Sequence, residues 1–118
     1  MQRIYHITRS SDWRAAVVQG SYRLSTRDRT LHEVGFIHCS HVHQVAGVAN
    51  AIYHDERDLV VLVIDADRLD APLRSEPALV DGGGEVFPHI YGPLNLDAVV
   101  EVRPYPPLHD GSFGPPAP

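Results

Sequence analysis

Leu59-Val60-Val61-Leu62-Val63-Ile64 is an unbroken apolar run, preceded by the charged turn His54-Asp55-Glu56-Arg57-Asp58 and closed by Asp65. It is far too short to span a bilayer. Apolar character at every position, rather than every second one, marks a central strand covered on both faces. The rest of the chain must therefore supply layers on two sides of this segment.

The remaining elements are shorter. Arg3 to Thr8 reads as a first strand of β-forming residues. Ser10-Ser11-Asp12 is a helix start signal, Trp13, Ala16 and Val17 follow helical spacing, and Gly20 is a stop. Tyr22-Arg23-Leu24 is a short strand. Ser25 to Val34 is polar and reads as a loop with a short helix from Thr30, closed by Gly35. Phe36 to Cys39 is a strand. Ser40 looks like the N-cap of an amphipathic helix over 41–53, with Val42, Val45, Ala46, Ala49, Ile52 and Tyr53 at helical spacing. Gly47 inside that helix costs roughly 1 kcal/mol against Ala, which suggests close packing there. Leu73-Arg74-Ser75-Glu76 and Ala98 to Tyr105 complete the strands. Two helices with short strands that do not alternate regularly with them indicate an α+β domain rather than a doubly wound parallel sheet.

The chain has 118 residues, 43% of them hydrophobic, enough for one core without a metal or disulfide. Residues 1–105 are expected to form a single domain, and the Pro/Gly-rich segment 106–118 a disordered tail. A single cysteine, Cys39, makes no internal disulfide and suits a reducing cytoplasm. Met1-Gln2-Arg3-Ile4-Tyr5 has no apolar signal-peptide core. All ten basic residues are Arg and the net charge is −5. That balance argues against binding long nucleic acid, but leaves room for one small anion held by an arginine. No membrane association is expected, and the oligomeric state stays open.

Eight histidines are the compositional signal. His6, His38 and His89 lie in strand-like segments beside isoleucines: Tyr5-His6-Ile7, Ile37-His38-Cys39 and Pro88-His89-Ile90. Alternation sets each histidine on the face opposite its isoleucine. In Phe87-Pro88-His89-Ile90-Tyr91 it also puts Phe87, His89 and Tyr91 on one face. If the isoleucines face the core, the histidines face a cleft, where they suit hydroxyl recognition or proton transfer. A metal site drawing on His38, His41 and His43 is a competing reading, weakened because positions two apart on a helix diverge by about 200°. Cys39 falls on the core face, as a structural rather than nucleophilic thiol. Ser40 as an N-cap would leave backbone N–H groups free for an anion beside His38. Arg74 and Glu76 share a face, as an ion pair or with Arg74 on a phosphate. The glycine run 82–84 lacks the strand and helix of a phosphate loop and reads as a lid or linker.

Tyr5-His6-Ile7, Gly35-Phe36-Ile37-His38-Cys39-Ser40, Leu73-Arg74-Ser75-Glu76 and Phe87-Pro88-His89-Ile90-Tyr91-Gly92-Pro93-Leu94 together resemble the bacterial family known as domain of unknown function 952. The resemblance runs from about residue 3 to residue 103. That family is similar in turn to the ADP-ribosyltransferase superfamily, with His38-Cys39-Ser40 resembling a motif of the RNA 2′-phosphotransferase branch. The resemblance implies a small split, mixed β-sheet with two main helices and a cleft for NAD as substrate. It implies site roles for His6, His38 and His89. His6 would bond a ribose, His38 and Tyr91 would border the nicotinamide, Arg74 would meet phosphate, and Thr8 and Ser40 would line the cofactor. Many mono-ADP-ribosyltransferases place a glutamate at the third position. Here it is His89, which carries no fixed negative charge, with Glu76 and Glu85 as substitutes. The resemblance implies transfer or cleavage of ADP-ribose; a non-catalytic nucleotide-binding module is the alternative.

Overall fold

The computed structural model describes residues 2–78 and 84–116. The apolar run forms β6 (Leu59–Asp65), with all seven residues buried. It lies between β1 (Arg3–Arg9) and β10 (Val99–Pro104), antiparallel to both. Alternate β6 residues feed two cores. Val60, Leu62 and Ile64 join Ile4, Tyr22, Ile37, Ile90 and Leu94. Leu59 and Val61 join Ile7, Val45, Ala49, Tyr53, Tyr105 and Phe113. Burial on both faces follows from continuous apolarity, as expected.

A second three-stranded sheet is ordered β5-β8-β7, from β5 (Ile37–His38), β7 (Leu73–Pro77) and β8 (Val86–Ile90). The two sheets meet where Tyr5 N–H donates to the Ser40 carbonyl at 2.8 Å and Ser40 N–H to the Tyr5 carbonyl at 2.7 Å. Two small pairs complete the strands: β2 (Ser21–Tyr22) with β9 (Leu94–Asn95), and β3 (Leu24–Thr26) with β4 (Arg29–Thr30). Every pairing among the described residues is antiparallel, so the mixed sheet expected above is corrected to several small antiparallel ones.

The two main helices are α1 (Ser10–Gln19) and α3 (Val45–Ile52), with a single turn, α2 (Leu31–Val34), between them. α1 ends at Gly20 as expected, but only Ala16 is fully buried and Val17 stands half exposed. α2 starts at a capping box in which Thr30 and Glu33 satisfy each other's backbone N–H. It stops at Gly35, whose φ of 96° a side chain would resist.

Four expectations change. Ser40 is not an N-cap: its N–H is spent on Tyr5, and a 3₁₀ turn over Val42–Gln44 precedes α3, with His41 N–H donating to Gln44 Oε1 at 2.9 Å. The Ser40, His41 and Gln44 N–H groups are thus spent within the fold rather than left for an anion. Gly47 is not a close-packing position: a Cβ there would meet nothing within 4 Å. The polar stretch after Ser25 holds the β3–β4 hairpin, turned at Arg27 with φ 50°. Arg27 then pins the hairpin to the end of α3, donating to the Ile52 carbonyl at 2.8 Å and pairing with Asp55 and Glu56. Finally, the segment from Pro106 to Pro116 is packed rather than disordered. Phe113 is buried, Asn50 bonds both its N–H and its carbonyl, and the Tyr105 hydroxyl donates to the Gly114 carbonyl at 2.5 Å. The lid or linker expected of the glycine run lies, except for Gly84, outside the described residues. Among the described residues no helix is long and apolar enough to cross a membrane.

Candidate functional site

β5 is short, and its neighbours fix which way each side chain faces. Ile37 and Cys39 are fully buried in the first core, so His38 takes the opposite face. Burial drives the Cys39 thiol pKa well above its usual range, which leaves it unreactive. Pairing with β8 sets His38 opposite His89, and pairing of β8 with β7 sets His89 opposite Arg74. One face of this sheet thus carries His38, His89 and Arg74 in a row, with Phe87 and Glu76 in the next. Ile90 goes to the core, as alternation requires.

The three histidines are contiguous but play different parts. His6 is 2% exposed. Its Nδ1 lies 2.6 Å from the His38 carbonyl and its Nε2 2.7 Å from the Tyr22 hydroxyl. A carbonyl can only accept, so Nδ1 carries the proton and Tyr22 donates to Nε2. Thr8, also buried, hydrogen-bonds the Tyr22 hydroxyl. Burial lowers the His6 pKa to about 4, against the opposing bond to the His38 carbonyl. Both nitrogens are engaged within the fold, because the sheet face expected to line a cleft is covered by the first core. His6 holds the backbone of His38.

His38 is the histidine that borders open space. Burial, then the neighbouring His6 and His89, lowers its pKa to about 4, so it is neutral at pH 7. No described residue hydrogen-bonds its ring nitrogens. It borders a cavity of about 230 Å³ with Ser25, Thr26, Arg29, Val34, Phe36, Ile52 and Ala78. It also borders one of about 400 Å³ whose lining includes His43, Gln44, Gly47, Val48, Glu85 and Phe87. The two share His38, Ile52 and Ala78 as a common wall. Behind lies a void of about 10 Å³, where His6, Ser25 and Ser40 meet.

His89 is 1% exposed. Phe36 stacks on its ring at 4.0 Å and 12°, and the His38 ring centre is 5.6 Å away. Its Nδ1 lies 3.2 Å from Glu76 Oε1, which also accepts from the Tyr91 hydroxyl. Those bonds, that of Tyr91 first, hold the Glu76 pKa below the usual carboxylate range. Burial lowers the His89 pKa despite Glu76. Arg74 is exposed at the sheet edge, with its guanidinium 5.1 Å from the Tyr91 ring centre.

Two buried side-chain atoms have no hydrogen-bond partner among the described residues: Ser25 Oγ and His89 Nε2. Both belong to residues beside His38. Native interiors leave few polar atoms unmatched, so two around one residue mark this place. A larger cavity, about 650 Å³, lies between α1, β2 and α2 against Tyr22, but neither Ser25 nor His89 lines it. Among the described residues no group of three or more His, Cys, Asp or Glu is placed to hold a metal. His41 and His43 stack on one another at 6.0 Å.

Of the residues singled out from sequence, His6, His38, His89 and Ser40 gather at this place. Thr8 sits beneath Tyr22, and Arg74 and Tyr91 stand with Glu76 at the sheet edge, outside the cleft lining. Ser25, Thr26, Arg29, Phe36 and Glu85 complete the cleft. The hairpin that brings the first three was hidden in a polar stretch; the turn-forming pair Arg27-Asp28 was its only local signal.

Fold and site define a small α+β domain with a half-buried imidazole, that of His38, on the wall of a cleft. The chain belongs to the family described as protein of unknown function (DUF952), whose model matches residues 7–102. It is similar to protein CC0527 from Caulobacter crescentus. The crystal structure of that protein superposes with a TM-score of 0.81 at 29% identity, covering 96% of this chain and 94% of the other. Its solution NMR structure gives 0.76 at 30% identity, covering 96% and 92%. No curated protein matches the chain.

Proposed function

We propose that this is a cytoplasmic nucleotide-binding protein of ADP-ribosyltransferase type, taking NAD or a related nucleotide in the cleft at His38 and transferring or cleaving its ADP-ribose. The observation that carries the proposal is the neutral His38 imidazole, without a hydrogen-bond partner among the described residues, on the wall between two cavities of about 230 and 400 Å³, the second within the range of small-ligand sites. The surrounding chemistry suits a nucleotide. Phe36 and Phe87 offer ring surfaces, Ser25 and Thr26 offer hydroxyls, and Arg29 offers a cation for phosphate, in the role expected above of Arg74. Glu76 is committed to His89 and Tyr91. Glu85 lines the larger cavity with His38 and is the carboxylate free to stabilise an oxocarbenium-like state.

Calorimetry with NAD and ADP-ribose tests the binding step. Absence of heat at about millimolar ligand, where even a weak complex of about 4 kcal/mol registers, sinks the proposal. Nicotinamide release, lost in Glu85→Gln and His38→Ala, marks an enzyme. Binding without release marks a non-catalytic module, a reading suggested by the resemblance given above, which sets His89 at the position where many mono-ADP-ribosyltransferases place a glutamate.

A further inference from the structure

We propose that Glu76 and His89 are positioning residues that fix the proton on His38, so that the nitrogen His38 turns to the cleft is a bare acceptor selecting ligands that bring a hydroxyl or N–H donor. This rests on His38 being the ligand-facing residue, as proposed above, and deepens it.

The chain of reasoning begins at the sheet edge. Glu76 is ionised and can only accept. Its Oε1 takes the Tyr91 O–H and faces His89 Nδ1 at 3.2 Å, so Nδ1 carries the His89 proton. A neutral imidazole protonated at Nδ1 has a lone pair at Nε2, and that atom is buried without a partner among the described residues. Phe36, stacked at 4.0 Å and 12°, keeps the ring from turning to another neighbour.

β7 and β5 flank β8 on opposite sides, and the two nitrogens of an imidazole point apart. With Nδ1 directed at Glu76 on β7, Nε2 is directed to the β5 side, where the His38 ring centre is 5.6 Å from that of His89. In the proposed arrangement the His38 N–H donates to Nε2 and satisfies the orphan. The bond also decides the His38 tautomer: one nitrogen is protonated and spent on His89, the other is bare and faces the cleft. His6 contributes from the opposite side by holding the His38 carbonyl at 2.6 Å, which fixes the backbone about which the ring turns. A bare imidazole nitrogen accepts from a ribose hydroxyl or an amide N–H and gives nothing to a carbonyl or a phosphate oxygen.

The test is nitrogen-15 NMR of the histidine rings in the ligand-free protein, where long-range couplings separate the two neutral tautomers. The expected result is a single His38 tautomer in the wild type, and a mixture in both His89→Phe, which removes the acceptor, and Glu76→Ala, which frees the His89 proton. A merely structural role for His89 would not move that signature. A mixed His38 tautomer in the wild type, or a single one persisting in either variant, overturns the proposal. Glu76→Ala, at the partly exposed sheet edge, keeps the test decisive should His89→Phe fail to fold. Because no ligand is present, a tautomer lock that holds while NAD fails to bind refutes the function proposed above and leaves this inference standing.

Discussion

Acid should destabilise this domain through His6 before it titrates the surface carboxylates. His6 is buried with a pKa of about 4, whereas in the unfolded chain it returns to about 6.5. Above about pH 6.5 both states hold the neutral ring and stability is at its full value. As pH falls from about 6.5 to about 4, the unfolded chain binds a proton that the folded one refuses, and stability drops by about 1.4 kcal/mol per pH unit. Below about 4 both states are charged and this loss stops growing. The full cost is about 3 kcal/mol, with about 2 kcal/mol already lost at pH ~5, a large share of a typical stability of about 5–15 kcal/mol. His38, also lowered to about 4, adds to the same window. The Asp28, Asp55 and Glu56 pKa values are lowered, first by side-chain bonds to Arg9 or Arg27. Their contribution, present above the unfolded carboxylate pKa, is lost at more acid pH. Urea titrations between about pH 7 and pH 4.5, followed by far-UV dichroism, read the effect as a falling midpoint at constant slope. His6→Gln keeps one donor and one acceptor but cannot titrate, so its midpoint should fall less steeply. Identical pH dependence in wild type and His6→Gln would refute the assignment of His6 as a buried neutral histidine.

Three other substitutions probe separate parts of the structure. Tyr22→Phe leaves His6 Nε2 buried without its donor and should cost about 1–3 kcal/mol in chemical denaturation. Phe113→Ala should cost about 3 kcal/mol, since this ring packs on Tyr105 in the second core; a change near zero would mean the C-terminal segment contributes nothing. Gly47→Ala should raise the melting temperature, gaining up to about 1 kcal/mol, because nothing lies within 4 Å of the new Cβ.

The strong patterns survived translation into three dimensions. β6 was legible because every residue in it is apolar, and only a doubly covered strand accommodates that. Gly20 and Gly35 marked real helix ends. Alternation correctly sent Ile37 and Cys39 inward and His38 outward. It failed for His89, which is 1% exposed beneath Phe36, and for His6, because period-two reasoning assigns a residue to a face but cannot tell whether that face is wet. The first core covers the face of His6, and its imidazole becomes an internal strut. The β3–β4 hairpin was illegible because its stability comes from Arg27 reaching the end of α3, a contact 25 residues away in sequence for the Ile52 carbonyl. The tail misled in the same way. Proline and glycine content suggested disorder, yet one phenylalanine and the Asn50 side chain hold it down.

The central claim is that His38 faces a nucleotide. The most direct measurement follows its ring resonances while ADP-ribose is added to the wild-type protein and to Arg29→Ala. The account predicts a saturable shift at His38 in the wild type, little change at His6, and several-fold weaker binding in Arg29→Ala. Titration to about millimolar ADP-ribose with the His38 resonances unmoved, or a response confined to residues around the cavity between α1 and α2, contradicts it.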